Sequence, residues 1–132
     1  MTQVILTLHS YNVYLVIAAA TIAFVWGFIL FFTKRTMNPS WRISLIVTAV
    51  LALIQGLFGI IMVIMGLKPG TGTGIYYLHY VYGGIAALGL PIAVTYATSG
   101  KNPRRDVLIF SIAALIVAAV AVRAWMTGPV VH

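Results

Sequence analysis

The chain has 132 residues, 62% of them hydrophobic and 7% charged, with a mean hydropathy of +1.08, whereas a soluble domain carries about 45–50% apolar and about 25% charged residues. A water-facing surface cannot be assembled from this inventory, which excludes soluble enzymes, nucleic-acid modules and disordered tails and leaves an integral membrane protein. The net charge of +7, from eight Lys and Arg against Asp106 alone, falls between apolar runs, where basic residues act as topology signals. There is no cysteine, so disulfides, thiolate metal sites, iron–sulfur clusters and covalent c-type haem attachment are excluded as well.

A membrane-crossing helix needs about 20 mostly apolar residues. Four runs meet that requirement, at about residues 9–33, 43–66, 75–98 and 107–126. The segment from Met1 to Tyr11 has no Lys or Arg, so it lacks the charged start of a cleavable signal peptide, and the first run is expected to be retained. Lys34–Trp41 and Ser99–Asp106 are polar connections, and Leu67–Gly74 is a glycine-rich turn that cannot continue a helix. Connections this short make neighbouring helices antiparallel. The expected fold is an all-α, single-domain, up-down four-helix bundle.

The first connection and its edge hold Lys34, Arg35 and Arg42, and the third holds Lys101, Arg104 and Arg105; Lys68 and Arg123 fall on the opposite side. The positive-inside rule then places the basic connections in the cytoplasm and both termini on the outer side, as in a bacterial-type plasma membrane or its equivalent. Asn38-Pro39 and Asn102-Pro103 each read as an N-cap followed by proline at the first helical position. Leu8-His9 and Leu78-His79 each sit near the outer start of a helix. Together these pairs suggest two hairpins related by a parallel pseudo-twofold axis, and capping alone explains the Asn-Pro pairs equally well.

Polar side chains within spans are costly and therefore informative. They are His9 and Asn12 in the first run, Gln55 in the second, His79 in the third and Arg123 in the fourth. Two histidines facing one another across a bundle supply both axial ligands of a b-type haem. Gly83, with Gly84, Ala86 and Ala87, offers a face of little bulk beside His79, and Ala19, Ala20 and Ala23 offer a similar face below His9. The other reading makes His9 an interfacial residue and gives His79 a backbone carbonyl to bond, with the small faces serving ordinary helix packing. Counting back from the basic connections also allows His9 to lie several residues further out than His79.

Arg123 has no carboxylate on its own side of the membrane, so it either snorkels or meets a haem propionate, a lipid phosphate or an acid of a partner subunit. Gln55 reads first as an interhelical hydrogen-bonding residue, and Pro91 removes the bond to Ala87 and kinks the third helix. Trp26, Trp41 and Trp125, with Tyr76, Tyr77, Tyr80 and Tyr82, read mostly as interfacial anchors.

His9, then Gln55-Gly56-Leu57-Phe58-Gly59, then Gly66-Leu67-Lys68-Pro69, then His79 is an order that resembles half of a haem A synthase, whose halves are four-helix bundles with paired haem-ligating histidines. The resemblance implies that His9 and His79 are iron ligands. The family also places a catalytic glutamate shortly before a ligand histidine and an arginine directly after it. Here Leu6, Thr7 and Leu8 precede His9, Ser10 follows it, and the chain has no glutamate and no cysteine pair. Haem binding is carried over; haem A synthesis is not.

The function expected from the sequence is a b-type haem-binding subunit for electron transfer near the outer face of an energy-transducing complex. His9 and His79 are the metal ligands, Gly83 and Arg123 are cofactor contacts, and other membrane subunits and lipid are the partners. The alternative is a non-catalytic accessory subunit of a respiratory or photosynthetic complex, either without a cofactor or with a chlorophyll-type pigment on one histidine. A four-helix proton-coupled exporter is not supported, because no span holds a carboxylate. Zinc is equally poorly served by three histidines, including His132, without acids or cysteines around them.

Overall fold

A computed structural model describes residues 2–67 and 77–127. Four helices run from Thr2 to Phe32 (α1), Pro39 to Ile64 (α2), Leu78 to Tyr96 (α3) and Pro103 to Thr127 (α4), and each is long and apolar enough to cross a membrane. Residues 75 and 76 of the third expected span, and Lys68, Tyr76 and His132, lie outside the described residues. α1 begins seven residues before the first expected span. Its 31 residues make a helix about 46 Å long, against a hydrocarbon thickness of about 30 Å, so apolarity alone marked only its inner part.

Both Asn-Pro pairs cap as expected. Asn38 Oδ1 accepts from Trp41 N at 2.7 Å, and Asn102 Oδ1 accepts from Arg105 N at 3.1 Å. α1 ends in a Schellman turn with Lys34 in the left-handed region (φ 58°), closed by Arg35 N to Leu30 O and Lys34 N to Phe31 O. α2 ends the same way at Gly66 (φ 83°), through Leu67 N to Met62 O.

The helices form a closed ring in chain order. α4 packs closely on both α1 and α3, α1 packs on α2, and the α2–α3 seam is the loosest of the four. Trp41, early in α2, bonds Ala23 late in α1, while Gln55 late in α2 meets His9 and Asn12 early in α1, so α1 and α2 run in opposite directions. Arg104 lies over the Phe31 ring, 4.3 Å from its centroid. That contact brings the two basic connections to the same end of the bundle.

The interior is built from small side chains. Ala20, Ala23, Ala52, Ala93, Ala113, Ala114, Ala118 and Ala121 are buried together with Val16, Val107 and Val117, while Ile22, Ile29, Ile43, Ile60, Val94 and other large apolar side chains face outward. This inverts the pattern of a soluble bundle. It suits lipid, where helix association depends on close packing instead of on hiding apolar surface. Ser44, Thr48, Ser111 and Thr127 return their hydroxyl bonds to carbonyls of their own helices.

Trp41 corrects the interfacial reading: it is fully buried, and its Nε1 donates to Ala23 O at 2.9 Å. Space for its ring comes from Gly27, where an added Cβ would strike Ser111 Oγ and lie 2.7 Å from Trp41 Cζ2. Gly27→Val is therefore expected to cost about 1–3 kcal/mol, read as a lowered unfolding midpoint in detergent. Gly84→Ala, whose new Cβ meets nothing within 4 Å, is expected to leave the midpoint unchanged or raised; equal midpoints for the two variants would refute this packing.

Candidate functional site

At the end of the bundle opposite the basic connections, α1 and α3 bring His9 and His79 face to edge. Their ring centroids are 6.0 Å apart and the ring planes are inclined at 69°. Any difference in depth between the two rings is therefore no more than this separation. They border a mostly apolar cavity of about 1220 Å³ lined from all four helices. It is larger than the about 300–1,000 Å³ of ordinary small-molecule pockets.

The cavity owes its volume to missing side chains at the loose α2–α3 seam. Gly59 on α2 and Gly83 and Gly84 on α3 line it, and a Cβ added at Gly83 or Gly84 would meet nothing within 4 Å, whereas one at Gly56 would come within 3.2 Å of Ala87 Cβ, so that Gly56 serves the approach of α2 to α3. Gly59 lies beside the His9 ring, 3.6 Å from Cε1 to where its Cβ would stand. The alanine face expected below His9 is different. Ala20 and Ala23 do follow the inward stripe of α1, but there the bundle is closed, and both are fully buried in the core instead of lining the cavity.

Hydrogen bonds fix the pair unequally. His79 Nδ1 lies 2.8 Å from Ala124 O on α4. That is the carbonyl bond of the alternative reading, yet it also sets the tautomer and leaves Nε2 with a lone pair for a metal. On α1 the ring of His9 has its Nδ1 buried without a partner, while its main-chain carbonyl accepts from Gln55 Nε2 at 2.9 Å. Gln55 Oε1 in turn accepts from Asn12 Nδ2 at 2.9 Å, and Asn12 Nδ2 also reaches Leu51 O at 3.1 Å. Gln55 is thus an interhelical residue, as its position suggested, and Asn12 is the partner that the sequence left without a role.

Arg123 is exposed and lies outside the cavity lining; its guanidinium sits 5.7 Å from the Tyr82 ring centroid. Trp125 does line the cavity and stacks edge-on with Tyr14 at 6.3 Å. At the other end, Asp106 is buried and accepts from Thr98 N, Thr98 Oγ1 and Gly100 N at 2.6 to 3.0 Å, closing a turn whose Ser99 and Gly100 have positive φ. Among the described residues no group of three or more His, Cys, Asp or Glu converges.

Comparison with models of known protein families, with characterised proteins and with solved structures finds no match for this chain.

The Asn12–Gln55 pair should be measurable as a coupled unit. Asn12→Leu and Gln55→Leu are each expected to destabilise the bundle by about 1–3 kcal/mol, because the first leaves Gln55 Oε1 without its donor and the second takes from Asn12 Nδ2 one of its two acceptors and from the His9 carbonyl its bond to α2. The double variant should lose less than the two losses combined, by about 0.6 kcal/mol or more. Strict additivity in detergent unfolding would show that the bond contributes nothing.

Proposed function

We propose that the protein is a b-type haem-binding subunit of an energy-transducing membrane complex, in which His9 and His79 would hold the iron. The observation that carries this reading is the ring pair. Metal–imidazole nitrogen bonds run about 2 Å, and two imidazoles sharing one ion therefore place their centroids about 6 Å apart, the separation found here. The cavity beside the pair, with bare glycine faces on α2 and α3, gives a flat macrocycle room. When bound, haem b supplies one-electron chemistry, which belongs to the cofactor and not to the chain.

The chain's own part is to hold and to exclude. Ala124 O orients His79, Gln55 ties the main chain at His9 to α2, and the apolar lining keeps water from the site. Gly83 supplies room by having no side chain. Arg123, next to Ala124 in sequence, is the cation among the described residues at this end that could meet a propionate, by swinging from its place near Tyr82. The order of features shared with half of a haem A synthase supports binding; the missing glutamate argues against synthesis of haem A.

In this reading the bundle is up-down, with both termini outside and the Lys34–Arg42 and Lys101–Arg105 end in the cytoplasm. The single acid, Asp106, is taken up by Thr98 and Gly100, and this end carries an excess of positive charge as the positive-inside rule requires. A second reading, an accessory subunit that packs against a larger complex, draws support from the outward-facing isoleucines, leucines and valines. With it goes a chlorophyll-type pigment on one histidine, or no cofactor at all.

Two experiments test these statements. A reduced-minus-oxidised visible spectrum with pigment extraction is expected to give a low-spin b-type signature that is lost in both His9→Ala and His79→Ala. A pigment spectrum sensitive to one histidine, or a colourless folded protein that copurifies with a large complex, would overturn the haem assignment. For orientation, Lys101→Cys is expected to react with a membrane-impermeant maleimide only in inside-out vesicles, and Tyr77→Cys only in right-side-out ones. The reverse pattern would invert the topology.

A further inference from the structure

We infer that the two histidines have unequal roles. His79 is the fixed ligand, His9 is the exchangeable one, and a small neutral molecule such as carbon monoxide takes the place of His9. This rests on the paired-ligand reading above.

The inequality lies in what holds each ring. The His79 ring is itself hydrogen-bonded, through Nδ1 to Ala124 O at 2.8 Å. Such a bond orients the imidazole and raises its basicity, and removing bonds of this kind costs about 10- to 100-fold in metal affinity. The His9 ring has no such support, since its Nδ1 is buried and unpartnered. What Gln55 fixes at residue 9 is the main-chain carbonyl and not the ring. Beside the ring lies Gly59, where even an added Cβ would keep an ordinary 3.6 Å contact with Cε1. No side chain of that residue braces the imidazole.

An imidazole whose second nitrogen has no hydrogen-bond partner is both a weaker donor to metal and an easier one to release. In the exchange His9 departs with its nitrogen lone pair and the incoming molecule brings the lone pair of its own carbon. One coordinate bond breaks and one forms, and no electron or proton changes hands. The mostly apolar lining selects an uncharged molecule.

The test uses the full chain, purified in detergent and reconstituted with haemin, as wild type, His9→Ala and His79→Ala, with carbon monoxide as the probe on the reduced samples. Wild type is expected to bind carbon monoxide with a shifted Soret band. His9→Ala is expected to retain haem in a high-spin form, and His79→Ala to bind it at least about tenfold more weakly than His9→Ala does. If the alanine variants do not fold, His9→Gln and His79→Gln replace them with the same expected contrast, and the response of the wild type to carbon monoxide is read beside them. Equal haem loss in both histidine variants, or a wild-type reduced spectrum unmoved by carbon monoxide, would overturn the inequality while leaving paired ligation intact. A wild type with no low-spin spectrum would instead remove the paired-ligand reading, and this inference with it.

Discussion

A polar atom inside a bilayer has no water to bond, so each one must find a partner within the protein. That constraint organises this structure. The hydroxyls of Ser44, Thr48, Ser111 and Thr127 turn back to their own helices, and Trp41 Nε1 reaches the Ala23 carbonyl. Asn12 and Gln55 satisfy one another and two α-helical carbonyls. His79 takes the carbonyl of Ala124. Against so consistent a background, the unpartnered Nδ1 of His9 is the exception among the described residues, and it falls in the ring that faces the other histidine.

Packing explains why the exception sits beside a cavity. Alanines on α4, together with Gly27 and Gly89, let α1, α3 and α4 approach closely; a Cβ at Gly89 would come within 2.9 Å of Val117 Cγ2. The glycines of α2 and α3 around the site have a different consequence. Gly59, Gly83 and Gly84 are not used for close approach, and the space they leave open is the cavity. The same residue type serves helix contact at Gly27, Gly56 and Gly89 and leaves open space at Gly83 and Gly84.

Local signals were the ones legible in the sequence. Apolar run length located four helices, and Asn38-Pro39 and Asn102-Pro103 marked two of their starts to the residue, because a cap depends only on its own turn. The histidine pair was legible as a pair but not in depth, since the register of α1 against α3 is set by packing on α4 and α2. Trp41 was misread because a tryptophan at a helix start usually anchors in the interface, and its burial depends on Gly27 in another helix. Ala20 and Ala23 lie on the face of α1 expected to be open, yet whether such a face is empty or filled depends on what stands opposite. Asp106 carried no signal beyond its charge, and its work is to close a turn eight residues long through Thr98.

The central claim is that His9 and His79 share one metal ion. Electron paramagnetic resonance of the oxidised, haem-loaded protein with nitrogen-15 histidine, read for nuclear couplings, addresses it most directly. The expected result is a low-spin ferric signal coupled to two imidazole nitrogens, with the large anisotropy of ligand planes far from parallel, as the 69° between the rings requires. A signal coupled to a single imidazole, or a high-spin signal alone, would contradict it.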